Sequence, residues 1–514
     1  MPILFYIVTR TKGSARDTAV NVMCAIGRPK SPLCEEDPCG RSPANRECAA
    51  VADTGRVPEK MPTSRVARGA EVGRLVAGRT ARNATLRIRM AGRTEALRTA
   101  LSEKEAVRSA ERVVTVLGGL RGAAMKLGQM LSTLDLSFVP DEHREEFHRK
   151  LADLQSRAPS VSFADIRRVV EADLGAPMST LFAHIDEEPF AAASIGQVHR
   201  AELHDGRIVA VKVKYPGIDE AVRADLKNLS FYLKLLPTSI PMLSSRAVVD
   251  ELRRNLEAEL DYVTEEATHR RAAALYREHP HFFVPDTVPE RCGSAVLTTD
   301  FVDAVSFEDI RAMPADVRDR VGETVFRFYI GSLHTLGEFC GDPHPGNVLL
   351  SKDGRVTFID FGLYLRMTPA DVAFERDCLR AAVEGRGDDL LAAMSSRGIL
   401  DPAARVTGQD CLDYVEAAAE LSLTDEQVTV TPEMAGACFL LAVDPRSGNF
   451  GEMTKQWLPP EHVFSRRADF LTFGILGQLR ATGNWGRIAR EWLYDEAPAT
   501  PMGVDIAEWS ARWR

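Results

Sequence analysis

A chain of 514 residues that is 45% hydrophobic and 27% charged has ordinary globular composition and room for two to four domains. Its net charge of -9 argues against a nucleic-acid-binding protein. Nine cysteines with no Cys-x-x-Cys pair and no His at ligand spacing indicate neither a zinc site nor a disulfide framework and fit a reducing, cytoplasmic setting. Without an uncharged apolar run of 18 residues, no membrane span is expected.

Residues 1–60 carry Pro, Gly, Cys and charges with no assignable period; they read as a disordered or non-native leader, with Met61 as an alternative start. Residues 61–100 form a basic arm with nine arginines and no lysine against Glu71 and Glu95, a balance of +7. Arg65, Arg68, Arg74, Arg79, Arg82, Arg87 and Arg89 are interleaved with Val66, Val72, Leu75, Val76 and Leu86. That pattern suits an amphipathic helix on an anionic membrane surface and equally a solvated helix face or flexible tail.

From Ser102 the apolar period is helical. Lys126 and Gln129 of Lys126-Leu127-Gly128-Gln129 share a helix face, and alone they read as plain helix surface. A further helix is expected over 141–155, and another over 163–174 with Ser162 as N-cap and Gly175 as the stop.

Ala191, Ala192, Ala193, Ser194, Ile195, Gly196, Gln197 and Val198 form a small-residue loop that leads into a hairpin turning at Asp205-Gly206. Its second strand carries Val209-Ala210-Val211-Lys212, which resembles the protein-kinase strand that presents a lysine to phosphates. Alanines stand where kinases have glycines, so the loop is stiffer. Read alone, this is an amphipathic hairpin with an exposed lysine. A helical tract over 246–278 follows, holding Glu251, Glu257, Glu259 and Asp261 as candidate partners of Lys212. Ala295–Thr299 reads as a buried strand entering Asp300-Phe301-Val302-Asp303, the position of an adenine-binding hinge, and 321–336 as a helix.

The densest signal is Cys340 to Gly362. Asp342 precedes Asn347, then Val348-Leu349-Leu350, an Asp353-Gly354 turn, and the return through Val356, Phe358 and Ile359 to Asp360. A hairpin of that length sets Asn347 and Asp360 side by side, two hard oxygen donors suited to Mg2+. Two acid-bearing surface turns would be the bland account. Beyond Gly362 come helical runs without Ala-Pro-Glu or a recognisable activation segment, which argues against an ordinary protein kinase, and a tail over 461–514 of amphipathic helix and polar turn.

The order of Asp342, Asn347 and Asp360-Phe361-Gly362 is that of protein kinases. Together with Lys126-Leu127-Gly128-Gln129, the alanine loop and Glu259-Leu260-Asp261-Tyr262, it resembles the UbiB-type (aarF-domain-containing) atypical kinases, over roughly residues 100–490. Cys340-Gly341 stands where many members have His-Ala. The resemblance implies an α+β, protein-kinase-like bilobal fold with an N-terminal helical extension over the active site and a mostly helical C-lobe. Its segments would be the extension at 101–180, an N-lobe at 181–303, a C-lobe at 304–495 and a tail at 496–514. It further implies that Lys126 and Gln129 line the nucleotide site, that residues 191–198 cover the phosphates, that Lys212 contacts them and pairs with Glu259, and that Asp261 couples to the extension. Asp342 would be the catalytic acid residue, with Asn347 and Asp360 as Mg2+ ligands. The implied cofactors are ATP and Mg2+, and the implied role is an ATPase or phosphotransferase in isoprenoid quinone or lipid biosynthesis, with peripheral contact at the inner membrane face and a lipid or quinone-pathway protein as partner. A nucleotide-binding pseudokinase scaffold is the alternative; an aminoglycoside-phosphotransferase-like enzyme would leave Lys126-Leu127-Gly128-Gln129 unexplained.

Overall fold

The chain divides into two units, residues 1–62 and 63–514. The computed structural model describes residues 161–193, 195–224, 226, 253–254, 256–400, 405–436 and 460–513, all in the second unit. The expectations for the leader, the basic arm, Lys126, Gln129, Ser194, Glu251 and the helix over 141–155 lie outside the described residues.

Helix α1 (Phe163–Leu174) starts and stops where its cap residues dictate. The Ser162 side chain accepts from the backbone of Asp165, and Gly175 closes the helix at φ +69°. Ile166 and Val170, both fully buried, form its inner stripe. They pack on a small antiparallel sheet built from β1 (His184–Ile185), β2 (Ala191–Ala192), β3 (Gly196–Glu202), β4 (Ile208–Lys214) and β6 (Val296–Asp300), in the order β1-β3-β4-β6 with β2 against β3. Strand period two decides the faces: Val209, Val211 and Val213 are completely buried with α1, so Ala210 and Lys212 point the other way. The expected Asp205-Gly206 turn is present, with Gly206 at φ +86° and the Asp205 carboxylate accepting from the Arg207 amide and guanidinium. Although assigned to the extension, α1 packs against the small-lobe sheet.

The helical tract expected over 246–278 is broken. Leu260 is a turn, and α2 (Tyr262–Leu275) begins afresh because the Asp261 carboxylate accepts from the backbone amide of Thr264 at 3.0 Å and from its hydroxyl at 2.7 Å. The large lobe is centred on α3 (Ala315–Phe326), which runs through a π turn at Arg327–Gly331 into α4 (Ser332–Leu336), in place of the uninterrupted helix expected over 321–336. Phe326, Phe328 and Tyr329 supply the core. On it lies a four-stranded sheet ordered β5-β10-β9-β7, with β5 Phe282–Phe283, β7 Ala304–Val305, β9 Val348–Ser351 and β10 Val356–Phe358. Phe358 stacks on Phe328 at 3.6 Å between ring centroids. Strand β8 (Glu338–Cys340) pairs with β11 (Tyr364–Arg366). The remainder is helical: α5 (Pro369–Val383), α6 (Gly387–Ser396), α7 (Gly408–Leu423), α8 (Pro460–Leu479), α9 (Trp485–Leu493) and α10 (Pro501–Trp513). The last of these, read as a tail in the sequence, is docked: Trp509 donates to the Arg277 carbonyl at 3.1 Å and Met502 is buried. No helix among the described residues is long and apolar enough to cross a membrane.

Candidate active site

Between the two sheets lies a cavity of about 290 Å³, at the lower edge of the ~300–1,000 Å³ typical of small-molecule sites. One wall comes from the small lobe, with Ala191, Ala192, Ala193, Val198, Ala210 and Lys212. The facing wall comes from the β9–β10 hairpin and the loop before it, with His344, Gly346, Asn347, Leu349, Ile359 and Asp360. Leu297, Thr299, Asp300, Phe301 and Val302 close the back, so the segment expected to be the hinge does border the cavity.

The hairpin delivers its ends as the spacing requires. Val348 pairs with Phe358 and Leu350 with Val356, and the Ile359 amide donates to the Asn347 carbonyl at 3.3 Å. Asn347 and Asp360 therefore face the same cavity from adjacent chain positions. Asp360 is itself oriented, because its Oδ1 accepts from the Gly362 amide at 3.0 Å. A carboxylate and a carboxamide lining one cavity offer hard oxygen donors, the chemistry that suits a divalent cation such as Mg2+.

Lys212 does not pair with Glu259. Its Nζ donates to Oε1 of Glu265 at 2.8 Å, with the Glu265 side chain 2% exposed. The reason is the helix break: with Asp261 as N-cap, Tyr262, Glu265 and His269 share the buried face of α2, while Glu259 precedes that helix and lines the cavity. Burial, the dominant cause, and the carboxylates of Asp360 and Glu259 outweigh the attraction of Lys212 and push Glu265 up to about 7. Burial works against the Lys212 ammonium, but the surrounding Glu265, Tyr262, Asp360 and Glu259 more than offset it and hold Lys212 above its ordinary value. Lys214, on the same strand face, is diverted to the Leu260 carbonyl at 2.6 Å and Asp219 at 3.2 Å; both ammonium groups sit 4.9 Å from the Tyr262 ring centroid.

The alanine loop divides in two. Ala191 to Ala193 and Val198 reach the cavity, whereas Ile195, Gly196 and Gln197 are buried away from it. Gly196 passes so close to β4 that a Cβ there would lie 2.2 Å from the Val213 carbonyl oxygen, and Gln197 Nε2 is bonded to His199 Nε2 at 2.8 Å, His199 in turn to the Asp186 carbonyl. These three build the lobe rather than the cavity. Asp261 is spent as the α2 cap and is exposed.

Asp342 follows β8 but is not among the residues that line the cavity. Its Oδ1 accepts from Arg467 Nη2 of α8 at 2.7 Å. Sequence reading missed two residues of this site. Glu265 carried a signal, a carboxylate at an apolar position of the Tyr262–His269 stripe. Arg467 carried none.

Residues 153–392 match the ABC1 atypical kinase-like domain. The chain carries an atypical kinase-like domain of the ABC1 family. It is 31% identical over 284 residues to "Atypical kinase COQ8B, mitochondrial" of Rattus norvegicus, covering 55% of this chain and 53% of that protein. To "Protein ACTIVITY OF BC1 COMPLEX KINASE 3, chloroplastic" of Arabidopsis thaliana it is 34% identical over 269 residues, 51% of this chain and 36% of the relative. Its fold matches the structure titled "The complex structure of Rv3197-erythromycin from Mycobacterium tuberculosis" at TM-score 0.54 and 32% identity, covering 75% of this chain and 95% of that one. The match to these two curated relatives thus spans about half of one and about a third of the other. The atypical-kinase domain holds the whole hairpin and the Lys212–Glu265 pair.

Proposed function

We propose that this atypical kinase is an ATP- and Mg2+-dependent phosphotransferase or ATPase. The observation that carries the reading is one cavity lined by Ala191 to Ala193, by Asn347 and Asp360, and by Lys212, which Glu265 holds from behind. Lys212 would meet the phosphates as a cation held in place by Glu265, Asn347 and Asp360 would hold Mg2+, and Asp342 would orient the attacking hydroxyl or water. Mg2+, when bound there, would supply charge neutralisation on the transferring phosphoryl group. The backbone of Asp300–Val302 suits the adenine edge, and the stiff Ala191–Ala193 strand covers the opening.

On the family likeness, the reaction serves isoprenoid quinone or related lipid biosynthesis rather than protein phosphorylation. The absence of Ala-Pro-Glu after Gly362 agrees with that, since protein kinases use the segment to dock peptides. The +7 arm at 61–100 is the natural contact for an anionic membrane face.

The test is steady-state ATP hydrolysis by the purified full chain with Mg2+, with and without vesicles containing anionic phospholipid, for wild type, Asp342→Asn and Asp360→Asn. Hydrolysis that rises with vesicles and disappears in both variants supports the reading. Nucleotide binding with equally low turnover in all three proteins would replace it with a nucleotide-gated scaffold.

A further inference from the structure

Helix α8 sends Arg467 to the loop that carries Asp342. The pair is nearly closed to water, with the guanidinium side chain 10% and the carboxylate side chain 15% exposed. The helix is firmly seated: His462 Nδ1 and Ser465 Oγ both bond Oε1 of Glu375, at 2.6 and 2.9 Å, and Phe464 and Ala468 pack with Phe339 and Met367. Arg467 therefore approaches the loop from a rigid element.

Removing two charges from water costs several kcal/mol for each ion before their attraction is counted, and apolar side chains of similar volume often stabilise a fold as well or better. What a guanidinium supplies and an apolar side chain cannot is a fixed, charge-compensated carboxylate. The local charge balance makes that compensation matter. The cavity is lined by Glu259, Asp300 and Asp360 against the ammonium of Lys212, and Lys212 already serves Glu265. A polyphosphate arriving there adds further negative charge. On the proposed reading Asp342 acts on the terminal phosphate, and without the charge of Arg467 it would repel that phosphate more strongly.

We propose that Arg467 is a positioning residue of the phosphoryl-transfer site: it fixes the Asp342 carboxylate and cancels its charge so that MgATP can bind with its terminal phosphate beside it. This rests on the nucleotide reading above. It assigns a role in the reaction to a helix that lies beyond residues 153–392, the span of the matched domain.

The experiment is a double-mutant cycle on MgATP affinity, measured by calorimetry on the full chain, for wild type, Arg467→Ala, Arg467→Lys, Asp342→Asn and the Asp342→Asn/Arg467→Ala pair. Arg467→Ala is expected to weaken MgATP about 10-fold, the size of one unscreened like-charge contact at partial burial. Arg467→Lys should fall between it and wild type, and the double variant should return to within about threefold of wild type, because the offending charge is gone. Turnover of Arg467→Ala should drop by at least the same factor and recover partly on adding methylguanidinium, which a merely structural role would not produce. The inference is overturned if Arg467→Ala binds MgATP as wild type does, or if the double variant is no better than Arg467→Ala. Should Arg467→Ala fail to fold, the Arg467→Lys affinity decides, with unchanged binding and turnover counting against the proposal. A wild type that binds MgATP without turning it over, with the coupling intact, sinks the enzymatic reading and leaves standing only the role of Arg467 in MgATP binding; a wild type that does not bind MgATP sinks both.

Discussion

Replacing Glu265 by Gln tests the assembly of the site at its most buried ion pair. At 2.8 Å and an effective dielectric near 20, the attraction between Lys212 and Glu265 is about 6 kcal/mol. Against it stands the cost of holding the carboxylate out of water among other acids. Burial wins: with the attraction of Lys212 already counted, Glu265 is still raised from 4.5 to about 7, a net cost of roughly 3 kcal/mol to the charged carboxylate. What Gln cannot replace is the charge-assisted hydrogen bond that places the ammonium, worth about 1.5–3 kcal/mol, so Glu265→Gln should lower kcat/KM for ATP by about 10–150-fold. Glu259→Gln should cost far less, since it leaves the Lys212 contact intact. Steady-state hydrolysis of both variants, with MgATP affinity and thermal unfolding followed on the same samples, makes the comparison. A Glu265→Gln enzyme within threefold of wild type, or a Glu259→Gln enzyme more damaged than Glu265→Gln, would refute the pairing on which this reasoning depends.

Asn347→Ala should raise the Mg2+ concentration for half-maximal activity more than tenfold with little change in unfolding temperature, as read from a metal titration of turnover. Gly196→Ala puts a methyl 2.2 Å from the Val213 carbonyl oxygen, backbone against backbone, and should destabilise the protein by about 2 kcal/mol or more in denaturant unfolding. Burial drives His279 down to about 3 and His269 and His334 down to about 4. All three stay neutral when folded but take up protons near 6.5 when unfolded, so their contribution to stability is full above about pH 6.5 and is lost as pH falls toward 4. His279→Asn, which keeps an acceptor for the Phe282 amide, should reduce the pH dependence of unfolding between pH 6.5 and 5 by about one proton, or roughly 1 kcal/mol per pH unit. Asp173→Ala removes the carboxylate that accepts from Ser294, Ala295 and Val296. It should cost about 2–3 kcal/mol in the same unfolding assay, since α1 is then untied from the strand leading to Asp300.

Local chemistry made much of this fold legible. Asp-Gly at 205–206 and 353–354 fixed two hairpins because Gly takes positive φ at the turn and the strands alternate. Ser162 and Gly175 marked α1 to the residue for the same kind of reason. The adjacency of Asn347 and Asp360 followed from hairpin length alone. What stayed hidden were choices settled by tertiary contact. Glu259 and Glu265 are both acids close to one apolar stripe, and only the N-cap at Asp261, which resets the helix phase, gives the buried position to Glu265. Ile195 to Gln197 sat in one small-residue run with Ala191 to Ala193, yet tight strand packing at Gly196 and the Gln197–His199 bond turn that half inward. Arg467 lies 125 positions from Asp342, and no period or cap links two residues so far apart.

Helix α2 shows why the parts of the site are mechanically one. Its successive turns each hold a different element: Glu265 takes Lys212 of the small lobe, and Thr268 donates to the Phe361 carbonyl at 2.9 Å while His269 packs on the Phe361 ring at 4.7 Å. Arg271 grips Glu338 at the head of the strand that leads to Asp342. The turn after the helix receives Trp509 of α10 at the Arg277 carbonyl and Asp505 at His281. Residues three to four apart share a helix face, so a rigid-body shift of α2 cannot release Lys212 without also disturbing the Asp360–Gly362 segment and the strand before Asp342. Such an element has few intermediate settings, because packed interfaces switch between arrangements rather than deform continuously. On the proposed reading, a nucleotide that drew Lys212 and Asp360 toward its phosphates would load α2 as a whole, and Trp509 and Asp505 join α10 to the turn that follows α2.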